Sequence, residues 1–78
     1  MVKWQITQSH LDAVRRNLQS AERMIEVQTE RVSSMDRCGL DAAPARALLG
    51  LLREARLLHA AEHDRLVILL NHELATKN

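Results

Sequence analysis

The chain has 78 residues with one Trp, no Phe, no Tyr, two Gly and one Pro, which leaves little to build strands and few places to turn. Ala, Leu, Glu, Arg and Gln dominate, a helix-forming composition, and apolar residues at 46% are too plentiful for a disordered chain. The formal charge is only +1, and Glu22, Glu26, Glu30 and Asp36 are threaded among Arg15, Arg16, Arg23, Arg31 and Arg37, so the basic stripe of a nucleic-acid binder is cancelled.

The N-terminus, Met1 to Ile6, carries no apolar leader and no cleavage pattern. Ser9 followed by Asp12 resembles a capping box, in which the Ser side chain accepts from an orphan N–H. A first helix is therefore expected from about residue 9 to 38, with an earlier start at Thr7 or before as the competitor. Its apolar or small residues recur at Leu11, Val14, Leu18, Ala21, Ile25, Val32 and Met35, with Gln28 filling the gap. Alternating steps of three and four keep one helix face toward a partner helix.

Gly39 suits the left-handed position that ends a helix, with Leu40 making the accompanying hydrophobic contact. Asp41 is the expected N-cap of a second helix over about 42–75, and Pro44 falls in its first turn, where a missing N–H costs nothing. Here the recurrence is Ala45, Leu48, Leu52, Ala55, Leu66 and Leu69. With only residues 39–41 as the turn, the helices must lie antiparallel, and facing residue numbers should total about 80. That sets Val32 against Leu48, Ile25 against Ala55, Val14 against Leu66 and Leu11 against Leu69. In the middle it sets Ala21 against His59 and Leu18 against Glu62. The fold class predicted is all-α: a single domain, 1–78, forming a coiled-coil-like antiparallel two-helix hairpin.

One facing helix cannot cover the second helix. Leu48, Leu49, Leu51, Leu52, Leu58, Leu66, Val67, Leu69, Leu70 and Leu74 spread over about half its circumference, and Leu57 and Ile68 lie outside even that arc. Left bare, the surface exceeds what a monomer normally shows. Two hairpins pairing through the second helix into a dimeric four-helix bundle is the economical solution, with Leu48, Leu51, Leu52, Leu58, Leu66, Leu69 and Leu70 as interface residues. The competing arrangement is a monomer in which the N-terminal segment, with Trp4, folds back over the extra leucines.

His59-Ala60-Ala61-Glu62-His63 matches H-x-x-E-H, the zinc signature of inverted-motif metallopeptidases, in which two His one turn apart hold Zn²⁺ beside a Glu base. A catalytic site needs a third protein ligand, and the residues after His63 only continue the same helix. A ferritin-like site would need matching carboxylates on the first helix, whose facing stripe has none. His59, Glu62 and Gln28 read instead as a polar layer fixing register in a helical seam. Cys38 reads as an ordinary small residue, Trp4 as packing at the open end of the hairpin, and His10 and His72 carry no assigned role. One cysteine makes no internal disulfide. The longest apolar run, Leu66 to Leu70, is far short of the ~20 residues that span a bilayer, and the expected location is the cytoplasm.

The segment Gly39-Leu40-Asp41, then Ala45-Arg46-x-Leu48-Leu49, Leu58-His59 and Arg65-Leu66, resembles a group of short, uncharacterised bacterial helical-hairpin proteins over roughly residues 18 to 70. They share a G-x-D turn, an A-R-x-L-L start to the second helix and a later L-H and R-x-L. The resemblance implies the hairpin and lends no activity or ligand. Function is thus expected to be that of a small non-enzymatic interaction or regulatory module without cofactor. It would act as a homodimer, with an unidentified protein partner as a further possibility and no nucleic acid or membrane partner. The alternative is a metal-binding protein using His59, Glu62 and His63.

Overall fold

The computed structural model describes residues 3–76 as two helices, α1 (Lys3–Arg37) and α2 (Ala43–Ala75). They pack side by side along their length into a rod with Cα extents of 62 × 14 × 14 Å. Neither helix is long and apolar enough to cross a membrane.

The turn between them is built as the residues dictate. Gly39 takes φ 71°, its N–H donates to the Asp36 carbonyl at 3.2 Å, and the Leu40 N–H reaches back to the Met35 carbonyl at 2.9 Å. These are the paired bonds of a Schellman motif, which satisfy the last carbonyls of α1. The Leu40 side chain, expected to pack against the helix end, stays mostly exposed. A Cβ on Gly39 would meet nothing within 4 Å, so the cost of Gly39→Ala lies in backbone conformation alone, about 1–2 kcal/mol. Gly50 sits inside α2 with equally open space, and there Ala is expected to stabilise by about 0.5–1 kcal/mol. Urea unfolding of the two variants should shift the midpoint in opposite directions.

Two helix starts differ from expectation. Helix α1 begins at Lys3 and runs straight through Ser9, so the capping-box reading fails. Trp4 and Thr7 extend the three–four spacing of Leu11 and Val14, and Thr7 is buried. Its hydroxyl lies 3.1 Å from Oε1 of Glu73 and 3.3 Å from the Lys3 carbonyl, and this packing holds the first turns helical. At α2 the N-cap position belongs to buried Ala42, which makes no side-chain cap bond. Asp41 acts from one residue earlier, its Oδ1 accepting from the Ala43 N–H at 3.0 Å.

The register agrees with the expected total of about 80 at Thr7–Glu73 and Asp36–Arg46, whereas the longer reaches of Gln28 to Ala45 and His10 to Glu62 total 73 and 72. Thr7 meets Glu73, and across the turn Arg46 Nη2 donates to both oxygens of Asp36 at 2.6 Å. That pair is exposed and stabilises by at most about 1 kcal/mol. Every apolar position of the α1 stripe turns inward, with Leu11, Val14 and Ala21 buried and Leu18, Ile25, Val32 and Met35 half-buried. Leu11, Val14 and Leu66 form the core cluster, flanked by Val67 and Leu70. On α2 the inner seam is rotated from the expected one. Leu49 is buried and Leu48 is 45% exposed, so Leu49 takes the inward place that the spacing gave to Leu48. The seam facing α1 is Ala45, Leu49, Leu52, Arg56, His59, His63, Leu66, Leu70 and Glu73, each buried or half-buried.

Gln28 is, with Thr7, a buried polar residue of the seam, only 3% exposed. Its Nε2 donates to the Ala45 carbonyl at 3.0 Å and its Oε1 accepts from Arg31 at 3.0 Å. The amide is satisfied at both ends, which removes most of the cost of burying it.

Candidate functional site

The H-x-x-E-H residues share one stretch of α2 but not one site. His59 and His63 lie on the inner seam and are half-buried. Glu62 lies on the flank, held by its own helix: Arg65 Nε and Nη2 donate to its two oxygens at 3.0 and 2.6 Å. His63 Nδ1 lies 3.2 Å from Oδ1 of the following Asp64. From α1, His10 approaches Glu62, its Nε2 4.0 Å from Oε1. Among the described residues no three of His, Cys, Asp and Glu are placed to hold a metal ion. Gln28 is bonded to Ala45, some 14 residues before His59 on α2 and thus about 20 Å along the helix. The single polar layer of His59, Glu62 and Gln28 therefore resolves into two separate features.

The Arg65 hydrogen bond holds the Glu62 carboxyl below its ordinary pKa, and Glu62 in turn raises Arg65. The sign follows from linkage: a carboxylate depressed by folding contributes above its unfolded pKa and loses that contribution as pH falls through the folded value. The pair is solvent-exposed, so its effect on stability is small.

What α2 presents to solvent is mostly aliphatic. Leu51, Leu57, Leu58, Ile68 and Leu74 are exposed, Leu58 and Ile68 by 73% and 71%, and Leu48 joins them. Of the interface residues expected from sequence, Leu48, Leu51 and Leu58 are bare, while Leu52, Leu69 and Leu70 are half-buried. Leu66 is a correction: at 2% exposure it belongs to the hairpin's own core, between Leu11 and Val14, and cannot centre a surface for another chain. The N-terminal segment does not fold back over these leucines, because it continues α1 as helix from Lys3.

Two residues of the bare surface were missed in the sequence, Met24 and Val27, both exposed on α1. With Leu48 and Leu52 they line an open groove of about 280 Å³ between the helices. A neighbouring groove of about 380 Å³ shares Met24 and Leu52 and continues along Asn17, Ser20, Ala55 and His59. The signal was present, since Met24 and Val27 keep the three–four step one position off the main stripe. At 100° per residue Leu57 and Ile68 lie about half a turn round α2 from Leu48. The groove on their side of the rod is lined by Ile25, Arg53, Arg56 and Leu57, whereas the Met24–Val27 groove has Arg23 and Arg31 at its rim beside more apolar residues.

No family model, curated relative or solved structure matches the chain. Geometry therefore carries the functional reading.

Proposed function

We propose that this chain is a small, non-enzymatic, cytoplasmic interaction module that self-associates through α2 into a dimeric four-helix bundle. The observation that carries this reading is surface area. The hairpin exposes 5685 Å², whereas a compact monomer of 8.9 kDa exposes about 4,800 Å². The excess of about 900 Å² is close to the roughly 800 Å² that one partner contributes to a standard interface. The aliphatic side chains bare on α2 supply what such an interface buries. Open grooves and locally engaged polar groups on the same surface suit association better than catalysis.

Light scattering at micromolar concentration is expected to give about twice the 8.9 kDa chain mass; a mass of one chain would overturn the reading. The metal-binding alternative makes the opposite prediction for composition. Elemental analysis of protein purified without chelator is expected to find far less than one zinc per chain, with helicity unaffected by EDTA. One zinc per chain, lost together with helicity in His63→Ala, would promote that alternative.

A further inference from the structure

Resting on the dimer reading, we infer which face pairs and in which register: the Leu48 flank of α2 docks antiparallel on the same flank of a second copy, about a two-fold axis between Leu51 and Ala55. Helix α2 carries a second seam beside the one that faces α1. Asp41, Pro44, Leu48, Leu51, Ala55, Leu58, Glu62 and Arg65 follow in alternating steps of three and four, the spacing that faces another helix. In the hairpin the apolar part of this seam is largely uncovered: Leu48, Leu51 and Leu58 are exposed, Ala55 is half-buried, and the Met24–Val27 groove runs alongside.

The spacing of the seam is the same in both directions about its centre, so two copies can pair antiparallel with every position facing a position, as a two-fold interface requires. In that antiparallel register Leu48 meets Leu58 of the second copy, and Leu51 meets Ala55, whose small side chain lets the helices approach at the axis. Beyond the apolar stretch the charges also match. Arg65 falls opposite Asp41 of the other chain, and Glu62 falls opposite Pro44 in the first turn of the other chain's α2, the end of a helix that favours an anion. Sliding the pairing by one heptad one way sets Leu48 against Arg65 and Leu51 against Glu62; sliding it the other way keeps Leu48 against Leu51 but sets Leu58 against Asp41 and leaves Glu62 and Arg65 without their counterparts. The flank bearing Leu57 offers fewer apolar residues for self-pairing, its groove being lined by Arg53 and Arg56 beside Ile25 and Leu57.

The test uses the full chain with exposed Cys38 changed to Ser. A mixture of Leu48→Cys and Leu58→Cys chains, treated with a short bis-maleimide, is expected to cross-link into heterodimers. Either variant alone should cross-link little, because its two cysteines would lie about 15 Å apart. In parallel, the Leu51→Glu, Leu58→Glu variant is expected to keep its helical circular dichroism and halve its mass, while Leu57→Glu, Ile68→Glu keeps the wild-type mass. A dimer that cross-links Leu48→Cys to itself, or that dissociates only on changing Leu57 and Ile68, would overturn the proposed face while leaving dimerisation intact. Parent protein of single-chain mass would overturn both.

Discussion

Leu66→Glu is expected to unfold the hairpin, seen as loss of the helical circular dichroism signal at 25 °C. Leu66 is 2% exposed and packs in the cluster of Leu11 and Val14 with Val67 and Leu70 at its edge. Truncating a buried leucine to alanine costs about 2–5 kcal/mol, and a carboxylate at the same place adds the cost of burying a charge without a partner. A domain of this size has only about 4–12 kcal/mol of stability in total. Leu58→Glu is the matched control: the position is 73% exposed, so helicity within the hairpin is expected to survive. A folded Leu66→Glu protein with parental helicity would show that the cluster is not the core.

Replacing His59 and Glu62 together by leucine is expected to raise the thermal midpoint and to broaden the mass distribution beyond the dimer. His59 is half-buried on the inner seam beside Ala21 and Leu52, so leucine there gains apolar burial of about 1 kcal/mol. For a chain of this length about 1 kcal/mol corresponds to roughly 4–8 °C, an upper bound on the rise because the loss of Glu62 offsets part of it. Removing Glu62 sacrifices its ion pair with Arg65, a surface interaction worth at most about 1 kcal/mol. The larger effect is on assembly. Glu62 interrupts the outer seam after Leu58, and with leucine in its place the pairing shifted by a heptad no longer sets Leu51 against a charge. Multi-angle light scattering after size exclusion should then resolve more than one species. One sharp dimer of unchanged midpoint would mean that neither residue restricts the alignment.

The amino-acid pattern by itself determined the two helices, the turn and the register. Gly39 was legible because only a residue tolerant of positive φ can close a Schellman motif; Asp41 was legible as an acceptor for the start of α2 but not in its place, since Ala42 takes the N-cap position and Asp41 accepts from one residue earlier. The inward stripe of α1 was legible because most of its apolar residues fall on one narrow face, with Ile6, Met24 and Val27 as the exposed exceptions. The start of α1 was not, since residues 3–8 hold their helix through the packing of Thr7 against Glu73, a contact distant in sequence. Nor was the rotation of α2. Its leucines are spread so widely that many rotations satisfy a three–four spacing equally well, and local pattern cannot rank them. Packing against the narrow stripe of α1 made the choice, placing Leu49 and Leu66 inside and leaving Leu48, Leu51 and Leu58 to solvent. The same rotation separated the H-x-x-E-H residues, turning His59 and His63 toward α1 and Glu62 to the flank, where Arg65 is within reach on the same helix.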